Sequence, residues 1–385
     1  MYQLRHLLVL AVGLTLASSA SAQTNFTFGG FAKLDVLNSR YNDGDVASES
    51  PLRDFHFPAA IPVGGSGEYV DIDFHVKESR FNFATQTKLG EEDLKSFLEF
   101  DFMLSPGGDE RISNSFNPRL RHFYFTYGNW LFGQTWMTFQ IVILPEDLDF
   151  IGVTDGTIFG RQPMIRYTNG PWQFSIENPE TVVTAHQTGD RVVTESGRIP
   201  DIFARYNAAG DWGTFSVAAI GRALSTDNPG RTFDHVKPGF GLTAGGQLDI
   251  GKRDNLYAVA FGGAGLGRYA ALNFANSAAI DANDGLEVIN SAGGWFGFRH
   301  WWNDAWRTSA NISGIFVDNE VTCSGTGVNK SAQSFSGNLL YSPHEQLTFG
   351  VEGMAARREL EDGRDGTFLR LQFSAKYAFN YATSN

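Results

Sequence analysis

The sequence contains almost no cysteine. One residue, Cys323, occurs in 385, so no disulfide can form within the chain, and a disulfide-stapled scaffold is excluded. The pattern of His and Asn that accompanies a catalytic thiol is absent around it. We expect Cys323 to lie in an exposed loop and assign it no role.

Basic residues are also scarce relative to acidic ones. Lys and Arg total 30 against 42 Asp and Glu, which gives a formal net charge of −12. Proteins that bind nucleic acid need a basic surface to neutralise phosphates. The charge balance therefore argues against a nucleic-acid partner.

Long apolar runs are missing after the N-terminus. No stretch of 18 or more apolar residues follows Ala22, which argues against transmembrane helices. The N-terminus itself has a basic start at Arg5, about ten apolar residues (7–16) and an Ala20-Ser21-Ala22 cleavage pattern. We predict that residues 1–22 are a cleaved signal peptide and that residues 23–385 form a single exported domain; an uncleaved membrane anchor is the alternative.

Motifs of enzymes and metal sites are absent as well. The chain has no G-x-S-x-G, H-E-x-x-H, C-x-x-C or P-loop sequence, and its eight histidines show no metal-ligand spacing. We therefore expect no catalytic residues, no metal and no cofactor.

Alternation of apolar and polar residues is the most frequent pattern in the sequence. Near the C-terminus Leu369, Leu371 and Phe373 alternate with Arg370 and Gln372. Alternation over about ten residues is typical of strands in outer-membrane barrels. The clearest such segments are 25–37, 94–104, 122–127, 240–250 and 367–379.

Short and long connections take turns along the chain. Seven short turns and eight long loops join about sixteen strands, and such barrels have short periplasmic turns and long extracellular loops. The fold is therefore predicted as all-β: a transmembrane antiparallel β-barrel. A soluble β-sandwich, the alternative, has similar connections at both ends. The short turns are at 90–93, 128–129, 169–171, 209–211, 251–254, 303–305 and 342–345, and the loops at 38–70, 105–117, 138–158, 178–199, 223–237, 264–290, 318–331 and 358–366.

Aromatic residues crowd the proposed short turns, as in the aromatic girdle of a membrane barrel. They are Trp130, Trp172, Trp212, Trp301, Trp302, Trp306 and Tyr341.

Basic side chains occupy the face opposite the apolar one. Sixteen strands enclose a lumen wide enough for water, and a Lys or Arg facing lipid at mid-bilayer costs about 2–4 kcal/mol. These residues should therefore line the lumen and favour anions. The candidates are Arg80, Arg166, Arg205, Arg222, Arg299, Arg370 and Lys376, with Arg161, Arg121 and Lys33 at the rim or constriction.

A balanced wall is the alternative interpretation. In it the basic residues pair with wall carboxylates and leave little net field. The carboxylates available are Asp35, Glu99, Asp101, Glu177, Asp201 and Glu352.

The segment 138–158 combines bulky apolar residues with acids. An exposed loop has no reason to be so apolar, so we expect it to fold into the lumen and narrow the pore. An oligomer contact or a lid is the alternative. The residues expected to form the constriction are Pro145, Glu146, Asp147, Asp149 and Phe150.

Five motifs, in order along the chain, resemble those of the DcaP-like porins. The resemblance implies a trimeric sixteen-stranded porin of the Gram-negative outer membrane, associated with uptake of dicarboxylates and similar small anions. It marks Arg161, Arg166 and Arg205 as motif positions. The motifs are WLFGQTW (130–136), DFxG (149–152), RQPxIRYT (161–168), FSIENPE (174–180) and PDIxARY (200–206).

Two features depart from that family pattern. Some members carry a helical, coiled-coil-like segment before the first strand, whereas here Gln23 leads almost directly into Phe26. Barrels of this kind usually end on an aromatic residue, whereas here Tyr381 is followed by residues 382–385. We expect the insertion signal to tolerate this short tail.

The sequence as a whole predicts a passive outer-membrane porin for small anionic solutes, with dicarboxylates as the expected class. Its expected partners are those solutes, outer-membrane lipid and lipopolysaccharide, and two further copies in a homotrimer. A general or cation-preferring porin, an outer-membrane enzyme and a plugged structural or adhesion barrel are the alternatives.

Overall fold

The computed structural model describes residues 24–104, 113–194, 197, 199–226 and 235–383. The predicted signal peptide lies outside these residues. The strands are β1 (Thr24–Tyr41), β2 (Tyr69–His75), β3 (Arg80–Leu89), β4 (Glu92–Asp101), β5 (Arg119–Tyr127), β6 (Trp130–Trp136), β7 (Arg161–Asn169), β8 (Trp172–Glu177), β9 (Val182–Thr184), β10 (Arg191–Val193), β11 (Asp201–Gly210), β12 (Gly213–Thr226), β13 (His235–Ile250), β14 (Asp254–Ala264), β15 (Ala278–Ile280), β16 (Leu286–Val288), β17 (Asn290–Trp301), β18 (Trp306–Asp318), β19 (Asn329–His344), β20 (Leu347–Leu360) and β21 (Asp365–Ala382).

Helical structure is limited, within the described residues, to single turns. They are the 3-10 turns Pro51–Arg53, Pro58–Ala60, Thr154–Gly156 and Gly267–Tyr269, and the α-helix α1 (Val321–Ser324). None of these helices is long and apolar enough to cross a membrane.

The large sheet closes on itself. Strands β2 and β3 both pair with β1 and occupy one position in the barrel as an interrupted strand. Counted in this way, the barrel has sixteen strands. The last strand, β21, pairs antiparallel with β1 and closes the ring. Closure leaves no unpaired strand edge in lipid. The predicted sixteen-stranded antiparallel barrel is confirmed.

Side-chain alternation sets the two faces of the wall. On β21, Leu371 and Phe373 are nearly half exposed, whereas Arg370 and Gln372 between them are buried. On β13, Phe240 and Leu242 are exposed. Because strand side chains point alternately to opposite faces, the exposed apolar ones cover the outside of the cylinder and the polar ones face its interior.

The two ends of the barrel differ as predicted. Seven connections of two to four residues lie at one end, between β3 and β4, β5 and β6, β7 and β8, β11 and β12, β13 and β14, β17 and β18, and β19 and β20. The opposite end carries the long loops. Several expected loops were too long, because the strands extend further than predicted. Residues 358–360 and 365–366 extend β20 and β21, so that connection is residues 361–364 alone. Residues 38–41, 69–70, 223–226, 235–237 and 329–331 also lie in strands.

The prediction of an exposed Cys323 was also wrong. Cys323 is buried in α1, and its carbonyl oxygen accepts from the backbone N–H of Gln187, at 2.7 Å. The loops pack on one another here, and β9, β10, β15 and β16 form a second small sheet. A loop between two strands therefore need not face solvent.

Several loops turn inward and meet inside the extracellular half of the barrel. Phe55 from the loop after β1 contacts Phe150 from the loop after β6, with ring centroids 5.4 Å apart. Leu272, from the loop after β14, packs against the same cluster. These inward loops fill part of the lumen and determine which wall residues still face water.

Candidate channel lining and constriction

Residues 137–160, here called the inner loop, connect β6 to β7 and lie against the inner wall. Glu352 on β20 accepts hydrogen bonds from the backbone N–H groups of Leu148 (2.8 Å) and Asp149 (3.1 Å). The carbonyl of Leu148 in turn accepts from Gln372 (3.0 Å) and from Lys33 Nζ (2.5 Å). The adjacent strands β20, β21 and β1 thus hold the turn of the loop against one part of the wall.

Glu146 ties the inner loop to the neighbouring wall. Its carboxylate pairs with Arg307 on β18, with Nε to Oε2 at 2.5 Å, and lies 3.8 Å from Arg299 Nη1. Although burial opposes the shift, hydrogen bonding from Arg307 lowers the pKa of Glu146. The ion pair therefore keeps this acid ionised, and the positive charges of Arg307 and Arg299 on the wall offset its negative charge.

Asp147 has a different environment from its neighbour. Its Oδ1 accepts from Asn311 Nδ2 at 2.9 Å, whereas Oδ2 is shielded from solvent and has no hydrogen-bond partner. Burial, and next the negative charge of Glu352, raise the pKa of Asp147 well above its usual range. The buried site and the unpaired oxygen therefore disfavour the charged form of this carboxyl group.

Asp149 and Phe150 connect the inner loop to the loop after β1, which contains Phe55 and His56. Asp149 Oδ1 accepts from the backbone N–H of His56 at 2.8 Å, and its Oδ2 from Gly152 N at 3.2 Å. His56 Nε2 also lies 2.9 Å from Asp155 Oδ2. The acids of the inner loop thus act largely as hydrogen-bond acceptors that shape it, and Pro145 is buried at the start of the turn.

Arg222 and Arg370 do not line open lumen, which corrects that part of the site prediction. Both are almost fully buried. Arg222 bonds Asp201 at 2.9 Å and the carbonyl of Gly265 at 2.6 Å. Arg370 donates to Ser39 at 3.0 Å and lies 3.5 Å from Asp149. The inward loops cover these guanidinium groups and take up their donors.

Other predicted cations face inward but have carboxylate partners. Arg121 pairs with Glu99 at 2.6 Å and with Asp101 at 2.7 Å. The balanced-wall interpretation applies to this group. The remaining pairs are Lys33 with Asp35 (3.3 Å) and Glu78, Arg80 with Glu78 (3.4 Å), and Arg299 with Glu146 (3.8 Å).

Four predicted cations have no carboxylate within 4.0 Å among the described residues: Arg161, Arg166, Arg205 and Lys376. Lys376 lies over the ring of Phe31, 5.6 Å from its centroid. The balanced-wall interpretation does not cover these four residues, because none of them forms a direct ion pair with a described carboxylate.

Arg161 is the first residue of β7, at the end of the strand that the inner loop joins to β6. It pairs with Trp136 across β6 and β7 and shares the strand parity of the lipid-facing Ile165. Its guanidinium stacks over Trp136 at 3.8 Å and lies 5.1 Å from the ring centroid of Phe159. The structure therefore places Arg161 at a rim, one of the two locations that the sequence left open for it.

Two cations of the site were missed at the sequence level. Arg119 bonds Asp101 through two nitrogens, at 2.8 and 2.7 Å, and Arg307 holds Glu146. Arg307 follows the exposed Trp306 and precedes Thr308 on β18, so the alternation used for the other strands would have found it. Within the described residues, no group of three or more His, Cys, Asp or Glu side chains could hold a metal ion.

A family model decides the identity of this barrel. The model of the DcaP outer membrane protein family matches residues 65–379. The chain belongs to the DcaP outer membrane protein family. It is therefore an outer-membrane channel, and the family and the similar structures below are channels rather than enzymes.

Solved structures share the fold of this DcaP family member. The outer membrane channel DcaP of Acinetobacter baumannii is 21% identical, with a TM-score of 0.77, over 92% of this chain and 97% of that one. An anion-selective porin from Comamonas acidovorans is 10% identical, with a TM-score of 0.58, over 93% and 100% of the two chains. OmpF of Salmonella typhi is 13% identical, with a TM-score of 0.52, over 93% and 98%. No curated protein sequence matches the chain.

Proposed function

We propose that this channel is a passive porin that prefers small anions, with dicarboxylates as its solute class. The observation that supports this proposal is a set of cations without a carboxylate partner within 4.0 Å among the described residues: Arg166, Arg205 and Lys376 on the inner wall, and Arg161 at the rim. Charged side chains that line a pore select the permeating ion by sign. The acids of the inner loop oppose this field less than their number suggests, because Glu146 is paired with Arg307 and Asp147 has a raised pKa.

The attraction should favour passage over tight binding. A carboxylate about 4 Å from one cation gains about 1 kcal/mol in bulk water and about 4 kcal/mol near a protein surface. Conduction requires a solute to leave as readily as it enters. A few such cations, spread over several strands, fit this requirement. The names of similar proteins agree with the proposal, since one of them is an anion-selective porin.

Solute flux into liposomes tests this proposal. With the purified channel, and after subtraction of entry into protein-free liposomes, we expect succinate to enter several times faster than the uncharged erythritol, and 1,4-diaminobutane to enter slowest. These three solutes share a four-carbon backbone and differ in charge, so sieving by size is controlled. Faster entry of the diamine than of succinate would show a cation-preferring channel instead.

We also propose that the inner loop sets the width of the pore. Its turn at residues 145–150 is held away from the strands that it connects and lies against β18, β20 and β21. A loop that crosses the lumen in this way reduces the open cross-section.

Finally, we propose that the channel is a homotrimer whose subunits meet on the side of the short strands. Strand β8 has six residues, and at about 3.3 Å per residue and a tilt of about 40° it rises about 15 Å, less than the apolar band of about 25 Å. A neighbouring subunit would cover the missing height. Next to these short strands, the outer face of β1 and β3 carries packed phenylalanines, including Phe28 and Phe83, whose ring centroids are 5.1 Å apart.

The mass of the detergent-solubilised protein tests the trimer. We expect three chains by native mass spectrometry. Phe83→Gln should shift the mass towards one chain, whereas Phe316→Gln, on the exposed outer face of β18, should not. A single chain in the wild-type protein would refute the trimer.

A further inference from the structure

We propose that the outer face of β19, β20, β21 and β1 binds lipid A, the acylated and phosphorylated sugar of lipopolysaccharide, with Arg40 and Arg357 as its phosphate contacts. This site lies on the lipid-facing side of the wall, so it is independent of the solute that the channel carries. The surface is here called the outer groove, and besides the two arginines it is lined by Phe335, Gly337, Gly353, Ala355 and Leu369.

Both arginines point out of the barrel. On β1, Arg40 is about half exposed, whereas Ser39 and Tyr41 on either side of it are fully buried. On β20, Arg357 is also about half exposed, whereas Ala356 before it is buried. Since neighbouring side chains of a strand point to opposite faces, the buried ones face the interior and the two arginines face the surroundings of the channel.

Both arginines also lie at the level of the outer leaflet. Arg40 is the last residue but one of β1, and Arg357 is near the end of β20. Both strands end opposite the seven short connections, on the side that is extracellular in such barrels. Across β21, Arg40 pairs with Leu369 and Arg357 pairs with Thr367, so the arginines flank one strand at successive outward positions.

Small residues form a depression beside the arginines, towards the middle of the membrane. Gly337 on β19 pairs with Gly353 on β20, and a Cβ added at Gly353 would meet nothing within 4 Å. The depression has a volume of about 520 Å³ and runs between Phe335 and Leu371. A second depression of about 490 Å³ continues it towards Arg357. An apolar trough that ends at cations matches an acyl chain joined to a phosphorylated headgroup.

The carboxylates that pair with the two arginines are easily displaced. Arg40 pairs with Glu68, and Arg357 Nε donates to Asp365 at 2.8 Å. These carboxylate side chains are 47% and 44% exposed, and exposed ion pairs are weak because water screens them. A phosphate monoester carries about 1.5–2 negative charges, and its oxygens accept two parallel hydrogen bonds from one guanidinium. It should therefore replace Glu68 and Asp365, which turn towards water.

Neutral polar residues on the same face favour a glycolipid over a simple phospholipid. Asn38 on β1 and Gln333 on β19 are exposed and line the two depressions. An amide that meets only hydrocarbon loses its hydrogen bonds to water, whereas the sugar hydroxyls and amide linkages of lipid A provide partners. The outer groove therefore fits a phosphorylated sugar with attached acyl chains.

Native mass spectrometry of the purified channel with added lipid A tests the site. In the wild type we expect one tightly bound lipid A per chain, and binding about ten-fold weaker, or about 1.4 kcal/mol, for lipid A without its phosphates. Arg40→Gln and Arg357→Gln should each weaken binding of lipid A several-fold, because each removes charge-assisted hydrogen bonds. Gly353→Phe should also weaken it, because the ring fills the depression while both charges remain.

Arg253→Gln is the matched control. Arg253 also forms an exposed ion pair, with Asp304 at 2.6 Å, but it lies in the turn after β13 at the opposite end of the barrel. This variant should bind lipid A like the wild type. All of the variants should keep the single-channel conductance of the wild type, which shows that their barrels are folded.

Three results would overturn the site. The first is lipid A binding that is absent in the wild type or undiminished in the double variant Arg40→Gln/Arg357→Gln. The second is equal binding of phosphatidylglycerol and lipid A by the wild type, which would show a site for anionic lipids in general. The third is a variant that loses oligomer mass instead of bound lipid, which would show that this surface is a contact between copies of the chain.

Discussion

Glu352→Ala is expected to raise the single-channel conductance by about twofold or more, because pore conductance rises with the open cross-section. The carboxylate accepts hydrogen bonds from the backbone of Leu148 and Asp149 and from Asn338. Hydrogen bonds to a charged acceptor contribute about 1.5–3 kcal/mol each, so their loss should release the turn of the inner loop. Planar-bilayer recordings of single channels measure the effect.

The matched control for this variant is Gln333→Ala. Gln333 is exposed on the outer face of the adjacent strand β19, so its removal should leave the conductance unchanged. If Glu352→Ala inserts normally and conducts like the wild type, the inner loop does not set the width of the pore.

Asp147→Asn is expected to stabilise the folded barrel at neutral pH. Burial and the charge of Glu352 raise the pKa of Asp147, so the folded protein holds a proton that the unfolded chain releases. Such a group contributes stability that is complete below the unfolded pKa of about 3.9 and is lost as the pH rises towards the folded value. The loss is about 1.4 kcal/mol for each pH unit between the two pKa values.

Denaturant unfolding followed by tryptophan fluorescence at pH 4 and pH 8 measures this effect. The advantage of Asp147→Asn over wild type should be larger at pH 8 than at pH 4. Asp149→Asn is the control, because Asp149 accepts hydrogen bonds from backbone N–H groups through both oxygens, and its replacement should destabilise at both values. An Asp147→Asn variant that is less stable than wild type at pH 8 would contradict the assignment of a protonated carboxyl.

The barrel itself could be predicted from the sequence because its signals are local. The alternation of Leu369, Arg370, Leu371 and Gln372 directly encodes which side chain faces lipid. The seven short turns could be located from polar breaks between alternating segments. The even strand number then follows, since a closed sheet in which every neighbouring pair is antiparallel needs an even number of strands.

The site was less predictable because it depends on contacts between distant segments. Arg222 and Arg205 look alike in sequence, since both follow apolar residues on predicted strands. The loop after β14 covers Arg222, and Asp201 on the neighbouring strand β11 pairs with it, whereas Arg205 meets neutral acceptors. Alternation predicts the face on which a side chain lies, but pairing depends on the register of neighbouring strands and on the inward loops.

The position of Arg161 shows a second limit. Strict alternation would place it with Ile165 on the lipid side. At the end of a short strand its guanidinium instead stacks on Trp136 and Phe159. Strand ends are where the period-two rule fails, because neighbouring loops there offer new contacts.

The zero-current potential in a KCl gradient tests most directly whether unpaired wall cations make this channel prefer anions. The wild-type channel should give the sign of an anion-selective pore. A variant with Arg161, Arg166, Arg205 and Lys376 all replaced by Gln should lose that preference. A cation-selective wild type would contradict this claim, and so would a quadruple variant that remains as anion-selective as the wild type.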